Sequence, residues 1–379
     1  MDRAVWGKAA CGLSMSDLKA LPDNIHMLTG MDTNGCLCLG RMNRSPWITY
    51  KGFSNRSARV RIKGGVPDEV EILRDKDLQP EFIVKVLTKN GQRLGWIFRY
   101  PHESSWRTHE NGLSREAMAA LPDGLVILGM LNCRGGLFLG SGRTGGWFAL
   151  QDFPNRTVRV RIKGGVPDEV EIFNKEGAKP EIIVKVISKD GERLDWIWRR
   201  PDEEIFRLNG HGLSKKAMAA MPEGIILKCQ LNENGALTLG GTLFTHGEYP
   251  LRDVRFRLIN GAPDEVEIMK SRGTKPEIIV KILAKEGRRV GWIWRRPNEV
   301  IFNPNAMGLS RAALGALDKI FIRSSFDLNG FSSIQCLGMR MGTEFAHKKV
   351  YFYIEKGVIL WGKLEDGREQ EFNLISEDS

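Results

Sequence analysis

Three segments of this 379-residue chain carry a cation at alternate positions: Arg59, Arg61 and Lys63; Arg159, Arg161 and Lys163; and Arg255 and Arg257. On an extended strand alternate side chains share a face about 6.6 Å apart, so each segment displays a line of positive charge close to the phosphate spacing of a nucleic-acid strand. A second reading competes with the first. Each segment runs through GGVPD or NGAPD into a carboxylate-rich strand, and the register implied by a five-residue turn sets Arg161 against Glu171 and Lys163 against Glu169. Those would be cross-strand ion pairs on a solvated face, with Arg159 left unpaired.

Aromatic residues form the next pattern. Trp96 and Phe98, Trp196 and Trp198, and Trp292 and Trp294 each share a strand face with a preceding Leu94, Leu194 or Val290. Exposed, they could stack against bases or sugars beside Arg199, Arg200, Arg295 and Arg296. The same period of two also describes a core strand, the commoner fate of such residues. The triplet of carboxylates in PDEVE fits neither a calcium loop nor a spaced acid and base, and a turn followed by a strand accounts for it.

Other motif classes are excluded by context. Gly140 to Gly145 satisfies GxGxxG, but GWFALQDF follows where a phosphate-binding helix would be needed, so the string reads as a turn. Walker A, HExxH, CxxC and GxSxG strings do not occur. The histidines, His26, His102, His109, His211, His246 and His347, fall at non-equivalent places, which argues against a duplicated histidine site. No catalytic residue, metal or cofactor is expected.

What positions these residues is an internal repeat. RVRIKGGVPDEVEI runs from Arg59 to Ile72, recurs letter for letter from Arg159 to Ile172, and returns as RFRLINGAPDEVEI from Arg255 to Ile268. Gly-Leu-Ser begins at Gly12, Gly112, Gly212 and Gly308, giving spacings of 100, 100 and 96. A period this long exceeds that of a solenoid unit, so each copy is expected to bury its own core, as beads and not as a superhelix. The expected organisation is four modules: 1–100, 101–200, 201–296 and a divergent capping module 297–379.

Within a copy, Ser14, Ser114, Ser214 and Ser310 stand where a hydroxyl would cap a short helix. Short alternating runs broken by glycine, asparagine and proline follow, among them TVRVRIK, EVEIF, EIIVKVISK and RLDWIWRR. The fold class expected is mainly β, with four tandem repeats of about 100 residues, each a small antiparallel β-sandwich or barrel with one short N-terminal helix. A hairpin across Lys189-Asp190-Gly191-Glu192 is the clearest turn signal.

Composition bounds the function. The net charge is +10 and the pI near 9.3, favouring acidic partners. By segment the balance runs +6, +2, +4 and −2, an acidic last copy fitting a terminal cap. Six cysteines are too few for a disulfide scaffold, and neither a secretory signal nor an apolar span is visible, so a cytoplasmic protein without membrane contact is expected. The leading expectation is a non-enzymatic multivalent binder of nucleic acid or another polyanion through the Arg/Lys rows. The alternative is a structural or assembly protein whose modules engage a protein partner or one another through exposed apolar residues such as Trp147, Phe148 and Leu150.

Overall fold

The computed structural model describes residues 5–7, 13–39, 46–74, 78–109, 112–139, 146–209, 212–271, 273–286, 288–305, 308–329, 332, 334, 346–365 and 369–370. The fold is mainly β, 51% strand and 7% helix, with four short helices. These are α1 (Met15–Ala20), α2 (Arg115–Ala119), α3 (Lys215–Ala219) and α4 (Arg311–Leu314). Each starts at the expected serine: the hydroxyls of Ser14, Ser114, Ser214 and Ser310 accept from the N–H groups of Asp17, Ala117, Ala217 and Ala313, each at 3.1 Å. The GxGxxG string at 140–145 lies outside the described residues. Among the described residues no helix is long and apolar enough to cross a membrane.

The chain divides into two compact units, residues 1–202 and 203–379. The first contains β1 (Val5–Gly7), β2 (His26–Gly30), β3 (Cys36–Leu37), β4 (Ile48–Thr49), β5 (Ser57–Lys63), β6 (Val66–Leu73), β7 (Pro80–Lys89) and β8 (Gln92–Arg99). It continues with β9 (Trp106–Thr108), β10 (Val126–Met130), β11 (Thr157–Lys163), β12 (Val166–Phe173), β13 (Pro180–Lys189) and β14 (Glu192–Arg199). β1 runs parallel to β2, which pairs with β5, and β5 to β9 form a meander. β9 then lies parallel to β10, and the series resumes through β11, β12, β13 and β14. The parallel pairs depart from the all-antiparallel expectation. They arise because α2 carries the chain from the end of β9 back to the start of β10, a crossover that returns the strand in the same direction.

The second unit contains β15 (Phe206–Leu208), β16 (Ile226–Gln230), β17 (Ala236–Thr238), β18 (Thr242–Thr245), β19 (Asp253–Ile259), β20 (Ala262–Met269), β21 (Pro276–Lys285) and β22 (Arg288–Arg295). After these come β23 (Ile301–Pro304), β24 (Ile320–Ser325), β25 (Lys349–Glu355), β26 (Val358–Leu364) and β27 (Glu369–Gln370). Its pairings follow the same pattern: β15 parallel to β16, an antiparallel run from β16 and β19 to β23, then β23 parallel to β24.

Alternation explains the burial. Along β11 Val158, Val160 and Ile162 are wholly buried, while Thr157, Arg159, Arg161 and Lys163 face water. The hairpin of β7 and β8 differs because both faces are apolar. Val84, Val86 and Trp96 join the core that contains Leu18, Val60 and Ile72, whereas Leu87 and Ile97 join the core around Leu113, Ala117 and Met118 of the next helix. A core is therefore shared across position 100. Gly95 makes room for this: a Cβ there would lie 3.4 Å from the Ala117 Cβ, and one at Gly291 would lie 3.0 Å from the Ala313 Cβ.

The hairpin tips are fixed by the helices. Gly64 and Gly65, at φ 59° and 70°, make a two-residue turn in which Lys63 pairs with Val66. The turn is shorter than the five residues expected, because two adjacent glycines adopt positive φ and reverse the chain at once. A Cβ on Gly65, Gly165 or Gly261 would sit 2.6, 2.5 or 2.7 Å from the Cα of Lys19, Ala119 or Ala219. A carboxylate from the segment after each helix seals the contact: Asp23 and Asp123 accept from the N–H groups of Gly64 and Gly164 at 2.6 Å, and Asp318 from Lys356 at 3.0 Å.

Gly165→Ala will lower stability in urea unfolding by about 3 kcal/mol, since a strained φ adds to a backbone clash. Gly164→Ala, with nothing within 4 Å of the new Cβ, will cost about 1 kcal/mol.

Candidate functional site

The cationic rows sit on the solvated face of the β5–β6, β11–β12 and β19–β20 hairpins, and carboxylates meet them there. Arg59 pairs with Glu71 at 2.8 Å, Arg159 with Glu171 at 3.2 Å and Arg255 with Glu267 at 2.6 Å. The register differs by two residues from the one expected, because the tight turn sets Arg159 opposite Glu171 and Arg161 opposite Glu169, with Lys163 opposite Val166. Arg159 is thus paired, not left over.

A bulge completes the cluster. Between Arg61↔Glu69 and Ile62↔Pro67 the partner strand holds one extra residue, Asp68, which turns its carboxylate onto the charged face. Asp68 accepts from Arg61 at 2.6 Å and from Lys85 on β7. Asp168 and Asp264 receive Lys185 and Lys281 in the same way, at 2.5 and 3.1 Å. Burial acts to raise the Asp68 pKa, but hydrogen bonds and charge from Lys85 and Arg61 outweigh it and hold the carboxyl below its ordinary 3.8.

The remaining cations divide into two groups. Arg199 donates to the carbonyls of Arg200 and Pro201, and Arg295 to those of Pro297 and Glu299 while lying 5.2 Å over the Phe302 ring. They brace the turn that follows their strand. Lys63, Arg161, Lys163 and Arg257 are exposed and pair with no carboxylate among the described residues, and Arg200 and Arg296 are also exposed.

The aromatic strands face inward to differing extents. Trp96 is 3% exposed, and Trp196 and Trp198 are half-buried against the core around α2. Trp292 and Trp294 enclose His246, with ring centroids 5.7 and 5.6 Å away, and Tyr249 closes the pocket at 4.7 Å. Burial pushes the imidazole below its ordinary 6.5, against an opposing pull from Glu248. Phe148, expected to be exposed, is 2% exposed because it lies in the core around α2, with the Trp196 ring 5.9 Å away, and Trp147 and Leu150 pack half-buried against the same core.

Sequence reasoning missed two features. Arg93 and Arg193 reach back across the fold to carbonyls at Pro46 and Gly146, at 2.6 and 3.0 Å, and Arg289 does the same to Leu243. The signal was an arginine two residues after the glycine of Asn90-Gly91, Asp190-Gly191 and Glu286-Gly287, hidden because its partner is a backbone atom 46 or 47 residues away. Beside α2 lies a cleft of about 610 Å³ walled by Met118, Phe138, Trp147, Val166, Arg115 and Arg193.

Burial, with Asp253 nearby, pushes the Cys229 thiol up to about 12, leaving it protonated at neutral pH. Among the described residues no group of three or more His, Cys, Asp or Glu side chains could hold a metal ion.

Asp68→Asn will destabilise the protein by about 1 to 3 kcal/mol at pH 7, by leaving Arg61 and Lys85 without their shared anion. Because the folded-state pKa of Asp68 is depressed, its contribution is present above 3.8 and fades as pH falls through the folded value; the variant's denaturant midpoint will converge on the parent's in acid. His246 also has a depressed folded pKa, so the unfolded chain binds the proton first and stability will drop as pH falls from about 7.5 to 5. His246→Phe will flatten that slope in thermal unfolding.

No protein-family model, curated protein or solved structure matches this chain.

Proposed function

We propose that this protein is a non-enzymatic assembly scaffold, built from four copies of one β-rich module of about 100 residues, that associates with further copies of itself. In this reading the modules are 1–100, 101–200, 201–296 and a divergent copy 297–379, each a small β-sandwich-like layer, with the β7–β8 hairpin laid on α2 and the β21–β22 hairpin on α4. The observation that carries it is the repeated ion pairing: Glu71, Glu171 and Glu267 hold Arg59, Arg159 and Arg255 at the same register in three hairpins. A polyanion would have to displace these carboxylates, so the rows serve the sheet itself. The half-apolar cleft at Met118, Phe138 and Trp147 is the kind of pocket that receives an anchoring side chain. Phe138 is 46% exposed at its rim.

A second reading has its own support. Lys63, Arg161, Lys163 and Arg257 keep free charge on the sheet faces, and four such cations in a cytoplasmic protein could hold a polyanion cooperatively.

Sedimentation velocity over about a hundredfold range of concentration separates the two. The scaffold will form a concentration-dependent oligomer that persists at about 0.5 M salt and is lost in Phe138→Glu. A monomer throughout overturns the proposal. If that monomer also binds a double-stranded oligonucleotide, and loses it on changing Arg161, Lys163 and Arg257 to glutamate, the polyanion reading replaces it.

A further inference from the structure

The turns that lead into β5, β11 and β19 follow one plan. They read YKGFSNR at 50–56, LQDFPNR at 150–156 and HGEYPLR at 246–252. The first residue of each donates its N–H to the carbonyl of Gly35, Gly135 or Gly235, at 3.0, 3.0 and 2.9 Å. The last is an arginine in all three, and it pairs with Glu81, Glu181 or Glu277 at 3.1, 3.3 and 3.1 Å. Both ends are tied alike, so what distinguishes the turns lies between them.

His246 stands where the others have Tyr50 and Leu150, Tyr249 where they have Phe53 and Phe153, and Leu251 where they have Asn55 and Asn155. Tyr50 lies 4.8 Å from Phe53, 5.9 Å from Trp96 and 6.1 Å from Phe98 between ring centroids, and Leu150 packs with Trp196 and Trp198 against the core around α2. Those side chains stay uncharged at any physiological pH. The imidazole of His246 fills the same place in its box of Trp292, Trp294 and Tyr249, and its ring makes no hydrogen bond among the described residues. Burial disfavours the charged ring there, while Glu248 on the turn favours it. The other charged groups around the box are Arg252 with its partner Glu277 on β21, and Arg296 beyond β22, all of which act on the Tyr249 phenol.

Leu251 adds strain. Its φ is 54°, beside 57° and 54° at Asn55 and Asn155. Asparagine enters this left-handed region readily and leucine does not. The Leu251 side chain is also 55% exposed, so packing returns little for the strained backbone.

We infer that the turn at 246–252 is a pH-operated latch: a proton on His246 releases residues 246–251 from the Trp292 and Trp294 rings, with Arg252 as the fixed end, while the turns at 50–56 and 150–156 stay shut. Opening gives the imidazole to water, where it takes its proton at the ordinary 6.5, whereas the closed box lowers that affinity. Closure is therefore at full strength well above 6.5 and weakens as pH falls through that value. Every group in the latch belongs to one chain, so it operates in a monomer as well as in an assembly.

The test is hydrogen–deuterium exchange of the full chain at about pH 7.5 and about pH 5.5, read by mass spectrometry on the three turns and corrected for the intrinsic effect of pH on exchange. Protection of 246–252 will fall in acid by up to about tenfold, the ceiling for an ordinary imidazole taken one unit below its pKa. The other two turns will keep theirs; they carry the same arginine and glutamate pair, so a loss confined to the third does not come from that carboxylate. His246→Tyr and His246→Leu, the residues found at 50 and 150, will each abolish the loss, and Leu251→Asn will raise protection at both pH values. Equal protection of 246–252 at the two pH values, an equal loss in all three turns, a loss that survives both His246 variants, or no gain in Leu251→Asn overturns the inference.

Discussion

A strand with two apolar faces cannot be left with one of them in water, and that constraint organises this protein. β8 offers Trp96 to one core and Ile97 to another, so something must cover its second side. The next helix does so, and it can approach only because position 95 lacks a side chain and position 117 has a small one. The same pair recurs as Gly291 and Ala313. The linking strands β9 and β23 then pair with the edges of β8 and β22, so backbone hydrogen bonds continue where the side-chain contact begins. Helix α1 differs from the later ones. Its third position holds Asp17, exposed and bonded to the Ser14 N–H at 2.7 Å, where α2 and α4 bury alanine.

The charged face follows a different economy. Each ion pair on it is part-exposed, and a single pair of that kind contributes little. Linking Arg61, Asp68 and Lys85 through one half-buried carboxylate changes the balance, since removing the anion strands Lys85 and leaves Arg61 with Glu69 alone, at 3.3 Å. The bulge makes this possible by giving β6 one more outward side chain than its partner strand has. The charge thus fixes hairpin register from the solvent side while the valines fix it from the core side.

Much of this was legible locally. Serine caps, alternating runs and the Asp-Gly turn involve neighbours within a few residues, and all four helices and the β13–β14 hairpin lie where those signals put them. The β5–β6 register was not legible, because Val66 and Pro67 belong to the strand although their composition resembles a turn. The pairing of Arg159 followed from that one displacement. The contacts of Arg93 and Arg199 with backbone carbonyls were invisible for another reason: any residue can supply a carbonyl, so the partner leaves no mark in the sequence. Phe148 was expected among exposed apolar residues, yet its pairing places it opposite Leu137 in the core.

The divergence of the last hairpin shows what repeat structure can reveal that motif reading cannot. Read as a string, VYFYIEKGVILWGK has no resemblance to VRVRIKGGVPDEVE, and its aromatics pass for an ordinary core strand. Register alone brings Tyr353 onto the place of Arg161, Trp361 onto Glu169 and Leu360 onto the bulged aspartate. Once the positions are matched, the inward residues are conserved in character and only the outward ones have changed. A fold under pressure merely to stay folded would have kept a soluble, self-neutralised face, because exposed tryptophan and leucine gain nothing from water. The change is confined to the side that faces solvent, so the force behind it acts from outside the sheet.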